Sequence, residues 1–190
     1  MDLYTAIRER RSCRTYSPEP IDEEVVGKIL DAAVWAPSPL NTQPWEFIVI
    51  TREDVKEEII AAAERCCGWA IDKSGWNWLS GYKMDFLRPV PVMVAVVGNP
   101  AKTGVDQFME NGSTAYQHAC AAAIQNMQLA AHAEGLGSLW FTFYHREEMK
   151  KILDIKASRE IIALVCLGKS TGEPTRTPRK SAADKTTYIK

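Results

Sequence analysis

Apolar positions recur at two spacings along this chain, and each spacing predicts a different element. Near the start, Leu3, Ala6 and Ile7 share one helical face behind Asp2, a residue suited to capping, which predicts a short first helix. A turn at Ser17–Pro20 follows. Asp22 then opens a second helix through Val25, Ile29, Leu30 and Ala33, ended by Ala36–Pro37. The run WEFIVI at 45–50 reads as a buried strand and residues 53–66 as a third helix, after which the pattern is irregular and aromatic to about Pro91. VMVAVVG at 92–98 is almost continuously apolar, as in a strand covered on both faces.

The longest helical pattern runs from Gly112 to Glu134, is rich in alanine, and is closed by Gly135 just past its end. SLWFTF at 138–143 predicts a third strand, REEMKKILD at 146–154 a short helix, and EIIALVCLG at 160–168 a fourth strand. Beyond about residue 170 the chain is polar, carries Pro174 and Pro178, and reads as an extended tail. Helices interleaved with buried strands predict an α+β or α/β sandwich, with residues 1–190 forming one domain.

Composition narrows the function classes. The chain has 190 residues, 46% hydrophobic and 25% charged, which suffices for one continuous core. Lys and Arg number 23 against 24 Asp and Glu, for a net charge of -1, and a nucleic-acid binder normally shows a basic excess. Residues 1–20 lack the apolar run of about 7–15 residues that a secretory signal needs. No stretch approaches the roughly 18 apolar residues of a membrane span. The five cysteines (Cys13, Cys66, Cys67, Cys120, Cys166) are odd in number and form no CxxC pair, as expected of free thiols in the cytoplasm.

Against this balanced background, RRSCR at 10–14 is a local concentration of charge. Arg10 and Arg11 in a last helical turn suit the negative end of the helix dipole, an effect of about 0.3–1 kcal/mol each. Arg14 lies beyond that turn, and Ser12 adds a hydroxyl, so the group also offers the forked donors that suit a phosphate dianion. Neither GxGxxG nor GxxxxGK[ST] occurs, and GLGSLW at 135–140 follows a helix rather than a strand, which argues against a Rossmann-type nicotinamide site. The loop APSPLNTQPW presents Ser38, Asn41 and Gln43 between a helix and a strand, either as turn residues bonding their own backbone or as a rigid polar rim. His118, His132 and His145 form no motif and read as surface or core residues.

RRSCRTY, then APSPLNTQPW, then AAIQNMQLAAHAEGLGSLW, in that order, resembles the nitroreductase family of FMN-dependent oxidoreductases. The resemblance implies a three-layer α+β sandwich with a mostly antiparallel central sheet, assembled as a homodimer with an exchanged tail and two FMN sites at its interface. It implies that Arg10 and Ser12 hold the FMN phosphate, with Arg11 in the same motif and Arg14 near the ribityl or pyrimidine side. Pro37, Ser38, Pro39 and Asn41 match the loop that reaches the flavin of the other subunit, and Lys83 matches a lysine on a flavin carbonyl. Phe141, Thr142 or Phe143 would stand beside N5, and the tail would add Arg179 or Arg176, with Lys180 also available.

The implied reaction moves hydride from NADH or NADPH through flavin N5 to an electron-poor acceptor, such as a nitroaromatic or quinone, in alternation. It needs no catalytic acid, base or nucleophile from the protein. The alternatives are a specialised relative that dehalogenates an aromatic or cleaves the flavin, and a protein that binds or senses FMN without turnover. Trp69, Trp76 and Trp78 would either stack an aromatic substrate or pack at the dimer interface. Neither a nucleic acid nor a membrane is expected as partner.

Overall fold

The computed structural model describes residues 1–109 and 113–190. Four strands, β1 (Trp45–Ile50), β2 (Val92–Gly98), β3 (Gly137–Phe141) and β4 (Glu160–Gly168), form one sheet in the order β1-β2-β4-β3. Every neighbouring pair is antiparallel. The helices are α1 (Leu3–Glu9), α2 (Glu23–Val34), α3 (Glu53–Ser74), α4 (Ala115–Ala133) and α5 (Arg146–Ile152). The expected α+β sandwich is the fold observed.

The layers follow from the two-residue period of the strands. Val92, Val94 and Val96 of β2 join the cluster formed with α2 and α4, whereas Met93 and Ala95 join the cluster formed with α3 and α5. Because helices cover both faces, β2 is buried along its whole length, which explains its unbroken apolar run. Asn126 Nδ2 donates to the Ala32 carbonyl at 3.1 Å and ties α4 to α2. No helix among the described residues is long and apolar enough to cross a membrane.

Both expected caps form: Asp2 accepts from Thr5 N at 3.1 Å and Asp22 from Glu24 N at 2.9 Å. Several boundaries differ from the sequence expectation, α5 among them, which stops at Ile152 rather than Asp154. α3 continues past residue 66 to Ser74, because Cys67, Ala70 and Ile71 still pack on the core, and it stops at Gly75 in the left-handed region. β3 ends at Phe141, so Thr142 and Phe143 lie outside the strand, where Tyr144 N bonds the Thr142 carbonyl at 3.0 Å. α4 starts at Ala115, and Gly112, the expected start of that pattern, lies outside the described residues.

The ends of α4 matter most for the site. At its start, Asp106 Oδ2 accepts from Thr114 N at 2.5 Å and Ala115 N at 2.8 Å, so a distant turn supplies the cap. The bond from Ala115 N, then that from Thr114 N, holds the Asp106 carboxyl below its ordinary value. At its other end, Leu136 N bonds the Ala131 carbonyl and Gly135 N the His132 carbonyl, with Gly135 at φ 77°, which is a Schellman stop. This stop turns the chain directly into β3.

Candidate functional site

α1 ends one residue before the arginine cluster, and its last carbonyls need partners. Arg11 Nη1 supplies them, donating to the Arg8 carbonyl at 2.5 Å and the Arg10 carbonyl at 2.7 Å. Part of the arginine cluster therefore does finish a helix, through Arg11. The chain then runs extended along β3: Ser12 bridges Ser138 in parallel and Cys13 N bonds the Ser138 carbonyl at 2.9 Å. Farther on, Ser17 N bonds the Lys169 carbonyl at 2.9 Å and Thr171 N the Thr15 carbonyl at 3.0 Å. These bonds draw the start of the tail across the arginine segment.

Between these pieces lies a cavity of about 700 Å³. One wall is residues 9–15, a second is His132 with residues 135–138, and a third is the tail, including Glu173, Thr177 and Arg179. Of the residues singled out from sequence, Arg10, Arg11, Ser12, Arg14 and Arg179 meet here. Burial, then Arg11 and Arg179 nearby, lowers the Arg10 guanidinium from its ordinary value. Arg10 Nη1, Arg11 Nε, His132 Nε2 and Ser138 Oγ are buried with no hydrogen-bond partner among the described residues. A buried polar group left without a partner costs about 1–3 kcal/mol, so four at one cavity mark a place built to receive acceptors from outside the chain. Forked guanidinium donors with a hydroxyl suit an oxyanion, a phosphate above all.

Arg14 also faces away from the cavity, donating from Nε to the Tyr82 hydroxyl at 3.3 Å. The Tyr82 ring meets Trp78 edge-on at 6.5 Å, and Trp78 stacks on Trp76 at 6.1 Å and 27°. Both tryptophans are exposed, so an aromatic surface adjoins the cavity rim through Arg14. Lys83 follows Tyr82, is exposed, and does not line the cavity.

Pro37, Ser38, Pro39 and Asn41 do not line the cavity either. Their loop packs against the Gly104–Phe108 turn, held by a bond from Gln43 N to Ser38 Oγ at 3.1 Å and one from Gln43 Nε2 to Asn41 Oδ1 at 3.2 Å. Leu40, Asn41 and Gln43 have φ of 51°, 52° and 44°, a left-handed conformation that costs a non-glycine residue on the order of 1 kcal/mol or more. Thr142 and Phe143 lie past the end of β3 remote from the cavity. Arg176 and Lys180 are tail residues off its wall, whereas Arg179 lies on it, with Nη1 bonded to Thr177 Oγ1 at 2.6 Å.

Two lining residues escaped the sequence reading. His132 has no motif, and Ser138 sits inside an apolar strand. The available signal was positional: GLG after His132 turns the helix end onto the strand start, so both residues flank one turn.

Thiol chemistry is not what the cavity offers. Cys13 lines it, but all five cysteines are buried, and Cys13 Sγ donates to the Thr15 carbonyl at 3.3 Å. Burial, then Cys13 nearby, pushes the Cys166 thiol up to about 12. Among the described residues, no group of His, Cys, Asp and Glu side chains is placed to hold a metal ion.

The nitroreductase family pattern matches residues 7–169. A Methanothermobacter thermautotrophicus protein, provisionally named an NADH dehydrogenase/NAD(P)H nitroreductase, is 31% identical over 148 residues, which is 78% of this chain. That match spans 64% of the relative, slightly under two thirds of its length. A 5,6-dimethylbenzimidazole synthase from Rhodospirillum rubrum is 31% identical over 166 residues, covering 84% of this chain and 77% of the relative. In fold, the chain is similar to a crystal structure of oxidized iodotyrosine deiodinase bound to FMN and 3-iodo-L-tyrosine, with a TM-score of 0.82, 21% identity, and coverage of 95% and 96% of the two chains.

Proposed function

This chain belongs to the nitroreductase family, and we propose that it is an FMN-dependent oxidoreductase that draws on NADH or NADPH to reduce an electron-poor planar acceptor, such as a nitroaromatic or quinone. The observation that carries this reading is the set of buried, unpartnered side-chain polar atoms, two of them on Arg10 and Arg11, at one cavity that Arg14 and Arg179 also line. That donor set fits the phosphate of FMN, and nothing else among the described residues satisfies it.

In this reading Arg10 and Ser12 hold the phosphate, Arg179 closes over it from the tail, and Arg176 is the lesser candidate for that role. Arg11 fixes the helix end and contributes its remaining nitrogens. Arg14, and Lys83 from the neighbouring segment, bring positive charge towards the ring system, and Thr142 and Phe143 offer backbone groups beyond β3. Bound FMN would supply the hydride chemistry, so the protein needs no acid, base or nucleophile of its own. Pro37, Ser38, Pro39 and Asn41 would complete the site of a second copy, which makes the functional unit a homodimer. The strain held at Leu40, Asn41 and Gln43 supports a binding role for that loop.

A second reading has the chain specialised on one aromatic substrate, as the names of the synthase and the deiodinase suggest for those proteins. The stacked, exposed Trp76–Trp78 pair beside the cavity rim favours it, because such a pair fits a flat ring.

The deciding experiment is a visible spectrum of the purified protein, followed by NADH and NADPH under anaerobic conditions. A flavin spectrum that bleaches supports the oxidoreductase. A flavin spectrum that persists with both donors points to binding without turnover. Protein that takes up no flavin on reconstitution rejects the assignment. Sedimentation mass tests the homodimer.

A further inference from the structure

We propose that His132 and Ser138 extend the anion-binding wall of the cavity that Arg10 lines, contributing hydrogen bonds to the terminal oxygens of the cofactor's phosphate. This inference rests on the flavin reading above and assigns two residues that the sequence motifs do not include.

Ser138 is only 1% exposed, yet its Oγ has no partner among the described residues. Leu139 and Phe141 belong to the core cluster with α3 and α5, so strand alternation puts Ser138 on the opposite face, the one that α4 covers. His132 stands in the last turn of α4 on that face, half-buried, with Nε2 covered and unpartnered. Both residues line the same cavity as Arg10 Nη1. A histidine or serine that served only to fill the core would be expected to bond a neighbour there, since buried polar groups are nearly always paired.

The backbone holds the pair rigidly. The Schellman stop uses the His132 carbonyl, and the Ser138 carbonyl receives Cys13 N at 2.9 Å, so both side chains project from hydrogen-bonded main chain. The charged and titratable groups lining the cavity with them are the Met1 amino terminus, Glu9, Arg10, Arg11, Cys13, Arg14, Glu173 and Arg179. Burial first, then the charges of Arg11 and Arg179, lower the Arg10 guanidinium, so Arg10 already sits among cations that repel it. The Ser138 hydroxyl beside the arginine segment adds a donor without adding to the repulsion. A phosphate monoester presents three terminal oxygens, enough acceptors for Arg10 and these two residues at once.

The test separates a phosphate contact from a structural role by using two flavins that differ only in the phosphate. Apo-protein is titrated with FMN and, separately, with riboflavin, for the unsubstituted chain and for Ser138→Ala, His132→Ala and His132→Gln. Thermal unfolding of each apo variant establishes that it is folded. The expected result is a loss of FMN affinity of about tenfold in each alanine variant, the scale of one charge-assisted hydrogen bond, with riboflavin affinity changed less than about twofold. His132→Gln should recover part of the loss. Equal losses for both flavins, or unchanged FMN affinity, overturn the extended wall while leaving the flavin reading intact. Failure of the unsubstituted chain to bind either flavin overturns the flavin reading itself.

Discussion

A Cβ placed on Gly137 would come within 2.7 Å of Cys13 Sγ and 2.8 Å of Cys13 Cβ. The arginine segment therefore lies on β3 through a contact that any side chain at residue 137 would obstruct. Gly137→Ala is expected to push residues 12–14 off the strand and destabilise the apo-protein by about 1–3 kcal/mol, the usual scale of overpacking. Denaturant unfolding of the apo-protein measures this, and an unchanged midpoint would refute the steric account.

Arg10 and Arg11 are adjacent but should behave differently. Arg10→Ala removes a half-buried guanidinium whose Nη1 is covered and unpartnered, and is expected to weaken FMN binding by roughly 1.5–3 kcal/mol. Arg11→Ala removes the cover from the Arg8 and Arg10 carbonyls, so its main effect should be on stability, with a smaller loss of FMN. Calorimetric titration of FMN into both apo variants gives the comparison. Equal affinities would remove the distinction.

Asp106→Asn should destabilise the start of α4. The Asp106 carboxyl sits below its ordinary value of 3.8, so the charged form stabilises the fold above that value. The contribution is lost as pH falls through the lower native-state value. Urea midpoints of the variant and the unsubstituted chain should therefore differ at neutral pH and converge well below pH 3.8. A gap that persists in acid would show that the charge is not the cause.

At alkaline pH the buried thiols set the direction. Burial pushes Cys120 and Cys166 up to about 12 from 9.0, so in the intervening range the native state keeps protons that the unfolded chain releases. Stability is complete below about 9 and falls as pH rises towards 12. The buried phenols Tyr16 and Tyr144 are shifted the same way and add to the decline from their ordinary value of 10.0 upward. Unfolding midpoints across that range should decline, and Cys166→Ala should make the decline shallower. A disulfide reagent added to the native protein at neutral pH should find no reactive thiol.

Local signals were legible in the sequence. The apolar runs at 45–50, 92–98 and 160–168 became β1, β2 and β4 with the expected bounds, because strands covered on both faces need little but apolar residues. The last part of α3 was not legible, since its support comes from contacts outside the helix, such as Cys67 Sγ with the Leu79 and Tyr82 carbonyls. The same limit applies to the site. Arg10, Ser12 and Arg14 announce themselves by proximity along the chain, whereas the nearness of Arg179 to Arg10 came only from the family resemblance. Asp106 capping α4 and His132 beside Ser138 are single residues brought together by folding, and no periodicity encodes them.

The order of strands in the sheet constrains how the protein is made. β4 is the last strand in sequence but sits inside the sheet, between β2 and β3. While a ribosome is still translating residues before Glu160, β2 has only β1 beside it and β3 has only the Ser12–Cys13 segment, with no strand of the sheet. The tail wall of the cavity emerges later still. Residues beyond Glu160 must therefore be made before the sheet can close, and the tail residues before the cavity has its third wall.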